Sequence, residues 1–141
     1  MTEDKRRLKR LRLIERVRSV EQRQAVQAAN QAETTRQRLE QLSERTRSLA
    51  QTYATRDPAG DGADLYRSSM MAAQLRHLGR TADAQATHAR QDADARMVDL
   101  ATAERRRQRA EDQRREAHQA LMERLSRPEN TPVRKVGTVV E

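Results

Sequence analysis

Cysteine, phenylalanine and tryptophan are absent from the chain, and its only aromatic residues are Tyr53 and Tyr66. Without cysteine there is no disulfide framework, no thiolate metal site and no thiol nucleophile. With no Phe or Trp and a single isoleucine, Ile14, a compact domain of 141 residues could not fill an ordinary core. Long apolar runs are missing as well. No window approaches the roughly 20 apolar residues of a membrane span, and the Arg- and Lys-rich stretch 1–20 lacks the uninterrupted apolar segment of a targeting signal. The chain is expected to be cytoplasmic and untargeted.

Helix breakers are scarce too, with four glycines and three prolines. The first is Pro58, in Asp57-Pro58-Ala59-Gly60-Asp61-Gly62, a turn cluster whose glycines can supply positive φ. From Lys5 to Arg56 nothing breaks a helix, and from Asp64 to Arg127 the one exception is Gly79.

What is present is charge and alanine. Charged residues make up 35% of the chain and hydrophobic ones 35%, with a mean hydropathy of −1.10. Two classes tolerate that balance: a disordered basic chain, or long helices that bury a narrow seam and solvate the rest. Periodicity decides for helices. Leu11, Ile14, Ala25, Ala28, Ala32, Leu39, Leu42, Leu49 and Tyr53 fall on alternating three- and four-residue steps, with Arg18, Glu21, Thr35 and Thr46 as polar members. A second track carries Met71, Leu75, Leu78, Ala82, Ala89, Ala93, Leu100, Ala103, Ala110, Ala117 and Leu121, interrupted by Arg107 and Arg114.

Two seams joined by a short turn predict an all-α fold, a long two-helix antiparallel coiled-coil hairpin over residues 1–127. Its parts are a helix over 5–56, a turn over 57–63 and a helix over 64–127. The tail 128–141 has two prolines and a glycine and is expected to be flexible on its own. Folding about residue 59 sets Ala25, Ala28 and Ala32 against Ala86, Ala89 and Ala93, a thin, weakly held middle. It also predicts a rod of about 75 Å or more, whose second helix overhangs the start of the first.

The net charge of +8 is uneven. Residues 1–20 carry eight basic and three acidic side chains, residues 21–95 ten of each, and residues 96–127 nine and six. The hairpin therefore has a basic base made of both termini and a neutral tip, and a partner at the base should be acidic. Apolar residues at the base exceed what one seam needs: Leu8, Leu11, Leu13, Ile14, Val17 and Val20 spread over roughly 240° of the helix. Leu121, Met122 and Leu125 stand at the other corner. Near the tip, Tyr66, Met70 and Ala73 form a second stripe beside Met71, Leu75 and Leu78. That stripe is either a docking surface or the cover of the other helix at a loose end.

No catalytic, cofactor or metal constellation is legible. His77, His88 and His118 have no second His at metal-ligand spacing. Carboxylate pairs such as Asp92 with Asp94 and Glu111 with Asp112 read as partners of the many arginines, since a thin two-helix rod offers no pocket. Gly60 and Gly62 lack the Lys-Ser/Thr of a phosphate loop. Nucleic acid is an unlikely partner despite a pI near 11.0, because 21 acidic residues interleave with the basic ones and stacking aromatics are nearly absent. A membrane surface ranks lower, because the N-terminal apolar residues surround the helix and aromatic anchors are missing. Pairing of the apolar base between copies of the chain is a further alternative.

A basic amphipathic N-terminus runs directly into the coil, a tyrosine ends helix one, and helix two opens with Tyr66-x3-Met70-Met71-x3-Leu75-x2-Leu78. This layout, from Leu8 to about Leu125, resembles the FliJ family of flagellar type III export stalk and chaperone proteins. The resemblance implies a non-enzymatic helical hairpin, associated peripherally with the inner-membrane export apparatus and not inserted in the bilayer. Its terminal helices would enter and stimulate the export ATPase ring, and another part of the coil would contact the export gate membrane protein. Export chaperones are a further partner class, and no cofactor is implied. Carried onto this chain, the ATPase interface comprises Arg6, Arg7, Leu8, Leu11, Ile14, Leu121 and Leu125. The gate interface maps to Met71, Leu75, Leu78 and Ala82, with Tyr66 and Met70 on the exposed face. The chain departs from many members in having Met and Ala where they carry aromatics in helix two. The generic alternative is a basic coiled-coil adaptor for nucleic acid or an acidic protein.

Overall fold

A computed structural model describes residues 2–55 and 62–127, and two helices account for all of them except Arg127. Helix α1 spans Thr2–Thr55 and α2 spans Gly62–Ser126. The expected helix limits of 5–56 and 64–127 thus shift by up to three residues. Glu3 and Asp4 lie in the first turn of α1 and Asp64 in that of α2, where carboxylates meet the positive end of the helix dipole. Residues 56–61 and 128–141 lie outside the described residues, and with them most of the expected turn and the whole tail.

Local chemistry is consistently helical. Threonine, an indifferent helix former, returns its hydroxyl to the carbonyl four residues back at Thr34, Thr35, Thr46, Thr52, Thr55, Thr81 and Thr102. Arginine bridges along the same helix at Arg36–Glu40 (2.8 Å), Arg107–Glu111 (3.2 Å) and Arg115–Glu111 (2.5 Å). Pairs of this spacing add a few tenths of a kcal/mol each, roughly 0.2–0.5.

The chain divides into two compact units. A terminal unit joins Met1–Val20 to Arg105–Glu141, and an inner unit comprises Glu21–Glu104. Within each, α1 packs antiparallel on α2. In the terminal unit Leu8, Ala110 and Leu121 are buried, with Leu11, Glu15, Arg114 and Ala117 half-buried between them. The apolar core of the inner unit is alanine throughout (Ala29, Ala32, Ala50, Ala72, Ala82, Ala86, Ala89 and Ala93), and Ser43 and Thr46 are buried beside it. Alanine buries little area, so this unit gains from the close helix approach that small side chains allow.

The buried track of α1 differs from the one expected. It keeps Leu11, Arg18, Ala25, Ala32, Leu39, Thr46 and Tyr53. Its alternate members, however, are Glu15, Gln22, Ala29, Arg36, Ser43 and Ala50, each one residue later than Ile14, Glu21, Ala28, Thr35, Leu42 and Leu49. Leu42 and Leu49 are both 50% exposed, while Ser43 and Ala50 are 6% and 7% exposed. On α2 the same one-residue rotation replaces Met71 by Ala72 and Leu78 by Gly79, and from Ala82 onward the expected track holds.

The cause is the fit of both helices at once. Small residues facing one another let the backbones approach: a Cβ built on Gly79 would lie 3.8 Å from Thr46 Cγ2 across the seam. Ser43–Asp83, Arg47–Asp83 and Glu40–Arg90 put the middle of the pairing near residues 63–65, not 59. Ala32 therefore lies across from the region of Ala93, and Ala25 from that of Leu100. At the other end Asp4 pairs with Arg124, so the two helices of the terminal unit finish level and the expected overhang of α2 is absent.

Candidate functional site

The inner unit has two unlike sides. On one, Asp83 of α2 accepts from Ser43 Oγ and from Arg47, whose guanidinium reaches both carboxylate oxygens at 3.1 Å. Further along that side Glu40 accepts from Arg90 at 2.8 Å and from Arg36 at 2.8 Å, and Arg36 also holds Glu33. The Ser43 hydroxyl, then Arg47, hold the Asp83 carboxyl below its ordinary value, and the Arg90 and Arg36 hydrogen bonds do the same for Glu40.

The opposite side is apolar. Leu42 and Leu49 each precede a seam residue of α1, and Met71 and Leu78 each precede one of α2. In an antiparallel pair such positions share one side. The four are 42–57% exposed, and the opposition of Thr46 to Gly79 sets Leu49 and Leu78 within a turn of each other. This is more contiguous apolar surface than scattered exposed leucines would make.

Of the residues assigned to a gate interface, Met71 and Leu78 lie on this side and Leu75 is half-buried next to them. Ala82 is 5% exposed and sits in the seam, so it is unavailable to a partner while the helices stay paired. Tyr66 and Met70 are exposed on the back of α2, half a turn from the seam, and belong to a different face. The sequence pattern places Leu42 and Leu49 in the seam, and both are exposed. Their signal in the sequence is the spacing alone, since three- and four-residue steps run through 42 and 49 or through 43 and 50, while hydrophobicity favours the leucines.

The terminal unit does not gather its assigned residues into one patch. Leu8 and Leu121 are 5% and 6% exposed and form the seam, which removes them as direct contacts in the closed hairpin. Leu11 is half-buried. Arg7 and Ile14 are exposed on one side of the seam and Leu125 is exposed on the other, while Arg6 points outward from the back of α1. Seven acidic and sixteen basic side chains among residues 2–20 and 105–127 give this unit more positive excess than the chain's whole net charge of +8.

Among the described residues, no group of three His, Asp or Glu side chains is arranged to hold a metal ion. His77 and His88 are exposed, and His118 is half-buried with its Nδ1 enclosed and without a hydrogen-bond partner. Asp92 faces Arg96 at 3.7 Å and Glu111 is shared by Arg107 and Arg115, so carboxylates from both expected pairs serve arginines. No described helix is long and apolar enough to cross a membrane. No family model, curated protein or solved structure matches the chain.

Proposed function

We propose that the chain is a non-enzymatic stalk of a flagellar type III export apparatus, similar to the FliJ family, that binds and stimulates the export ATPase ring and links it to the export gate. The observation that carries this reading is the division of labour between the units. A strongly basic terminal unit, with Arg7 and Ile14 exposed beside its seam, suits the acidic surface of a ring. An electrically balanced inner unit, with Leu42, Leu49, Met71 and Leu78 open on one side, suits a hydrophobic contact. The sequence layout from Tyr66 to Leu78 supports it independently.

The reading is tested by co-elution of the purified chain with its export ATPase and with the cytoplasmic part of the gate protein. Arg7→Asp with Ile14→Asp should abolish ATPase binding and spare the gate, and Leu49→Asp with Leu78→Asp should do the reverse. Wild-type chain that binds neither protein, yet binds any polyanion with a steep salt dependence, would instead identify a basic coiled-coil adaptor.

A further inference from the structure

The back of α1 in the terminal unit, half a turn from the seam, has no partner helix. Leu13, Val17 and Val20 stand on it at i, i+4 and i+7 and are 52%, 55% and 46% exposed. Arg6, Lys9, Arg10 and Arg16 surround them, all exposed and without ion pairs among the described residues. A shallow groove runs between Arg6, Lys9, Arg10 and Leu13, with Glu3 at its end.

Apart from exposed Glu3 at its N-terminal end, this face has no acidic side chain. Between residues 5 and 20 the single acid is Glu15, and it is turned into the seam against Arg114 at 2.5 Å. Asp4 is likewise held by Arg124. Packing also narrows the wide apolar spread of the sequence, because Leu8 enters the seam, Leu11 is half-covered and Ile14 stands beside the seam, leaving Leu13, Val17 and Val20 as a stripe on the back within a basic field.

We propose that this face is a lipid-binding surface, on which α1 lies flat against an anionic membrane. Leu13, Val17 and Val20 enter the headgroup–acyl boundary, and the flanking Arg and Lys side chains extend along it to the phosphates. Around the aliphatics, beyond Glu3 at the end of the groove, the face has one charge sign and no polar uncharged side chain. That fits a laterally uniform anionic surface better than a folded acidic protein, which would be oriented by paired opposite charges. Nucleic acid would leave the three aliphatics without a role. Aromatic anchors are missing, so insertion is shallow and reversible. The proposal is independent of ATPase binding.

Co-sedimentation of the full chain with vesicles tests it, at about 0.1 M salt, comparing phosphatidylethanolamine–phosphatidylglycerol (3:1) with phosphatidylcholine alone. The expected result is at least about tenfold tighter binding to the anionic vesicles. L13Q/V17Q/V20Q, which changes only exposed side chains, should reduce that binding by about tenfold or more at unchanged helicity. R10Q/R16Q should weaken it far more than R106Q/R109Q, which removes the same charge from α2. Absence of binding to anionic vesicles overturns the proposal. So does equal weakening by the two charge pairs with L13Q/V17Q/V20Q unaffected, which would mark a diffuse field. Loss of an acidic protein partner in L13Q/V17Q/V20Q, with vesicle binding intact, also overturns it and gives the face to that protein.

Discussion

Arg47 of α1 donates to both carboxylate oxygens of Asp83 of α2, each at 3.1 Å, across the helix pair. With Ser43 on the same carboxylate and Glu40–Arg90 further along, this bond lies on the polar side of the inner unit. The other side is left to Leu42, Leu49, Met71 and Leu78. Which residues are buried and which are offered to a partner are thus two consequences of one helix rotation.

That rotation predicts a reversal of the usual order of core sensitivity. Leu42→Gln and Leu49→Gln should each change stability by no more than about 0.5 kcal/mol, as at exposed sites. Ala29→Leu or Ala89→Leu should cost about 1–3 kcal/mol through overpacking. Urea unfolding followed by circular dichroism measures both. Losses of about 2–5 kcal/mol at Leu42 and Leu49 would mean that those leucines form the seam.

Gly79 is a helical glycine whose added Cβ would meet Thr46 Cγ2 at 3.8 Å, an ordinary van der Waals distance. Gly79→Ala should therefore stabilise the chain by about 0.5–1 kcal/mol through helix propensity. A destabilised Gly79→Ala in the same unfolding assay would show that the helices approach more closely than this.

Glu33, Glu40 and Asp83 are all held below their ordinary values by hydrogen bonds, led by Arg36, Arg90 and Ser43 respectively. Each folded-state value lies below the unfolded one. The stability they add is therefore complete above the unfolded values of about 3.9–4.3 and is lost as pH falls through the folded ones. The urea midpoint should be level from pH 7 to about 5 and decline below about pH 4. Asp83→Asn should lower the plateau and flatten part of that decline. A midpoint that rises on acidification would contradict the assignment.

In the terminal unit Glu15 and Arg114 occupy seam positions as a partly buried pair, 25% and 27% exposed. Removing one partner strands the other, so Glu15→Ala should cost about 1 kcal/mol or more. Replacing both with leucine should restore or exceed wild-type stability, because two apolar side chains suit a seam already containing Leu8 and Leu121. Thermal melts of the three variants decide it, and a double variant less stable than Glu15→Ala would refute it.

Helix content, the break between the helices and the antiparallel pairing were legible in the sequence, because missing Pro and Gly and a three-four periodicity act locally. The helix rotation was not. Leu42 and Leu49 outweigh Ser43 and Ala50 on any single-helix hydrophobic reading, yet facing Gly79, Ala82 and Ala86 the smaller residues permit closer approach. Register was misplaced for a related reason. It follows interhelix bonds such as Glu40–Arg90, which the sequence does not pair, and not the position of Pro58. Leu121 is legible as a seam member, but the family resemblance carries it and Leu8 to a partner interface, whereas pairing that runs level to Asp4 and Arg124 buries both.

The most direct test of the stalk proposal is ATP turnover by the matching export ATPase with increasing amounts of this chain at moderate salt. A stalk in a ring predicts a rise that saturates well below one chain per ATPase subunit and is lost with Arg7→Asp and Ile14→Asp. Turnover that does not change at any stoichiometry, together with absence of co-elution, would contradict it.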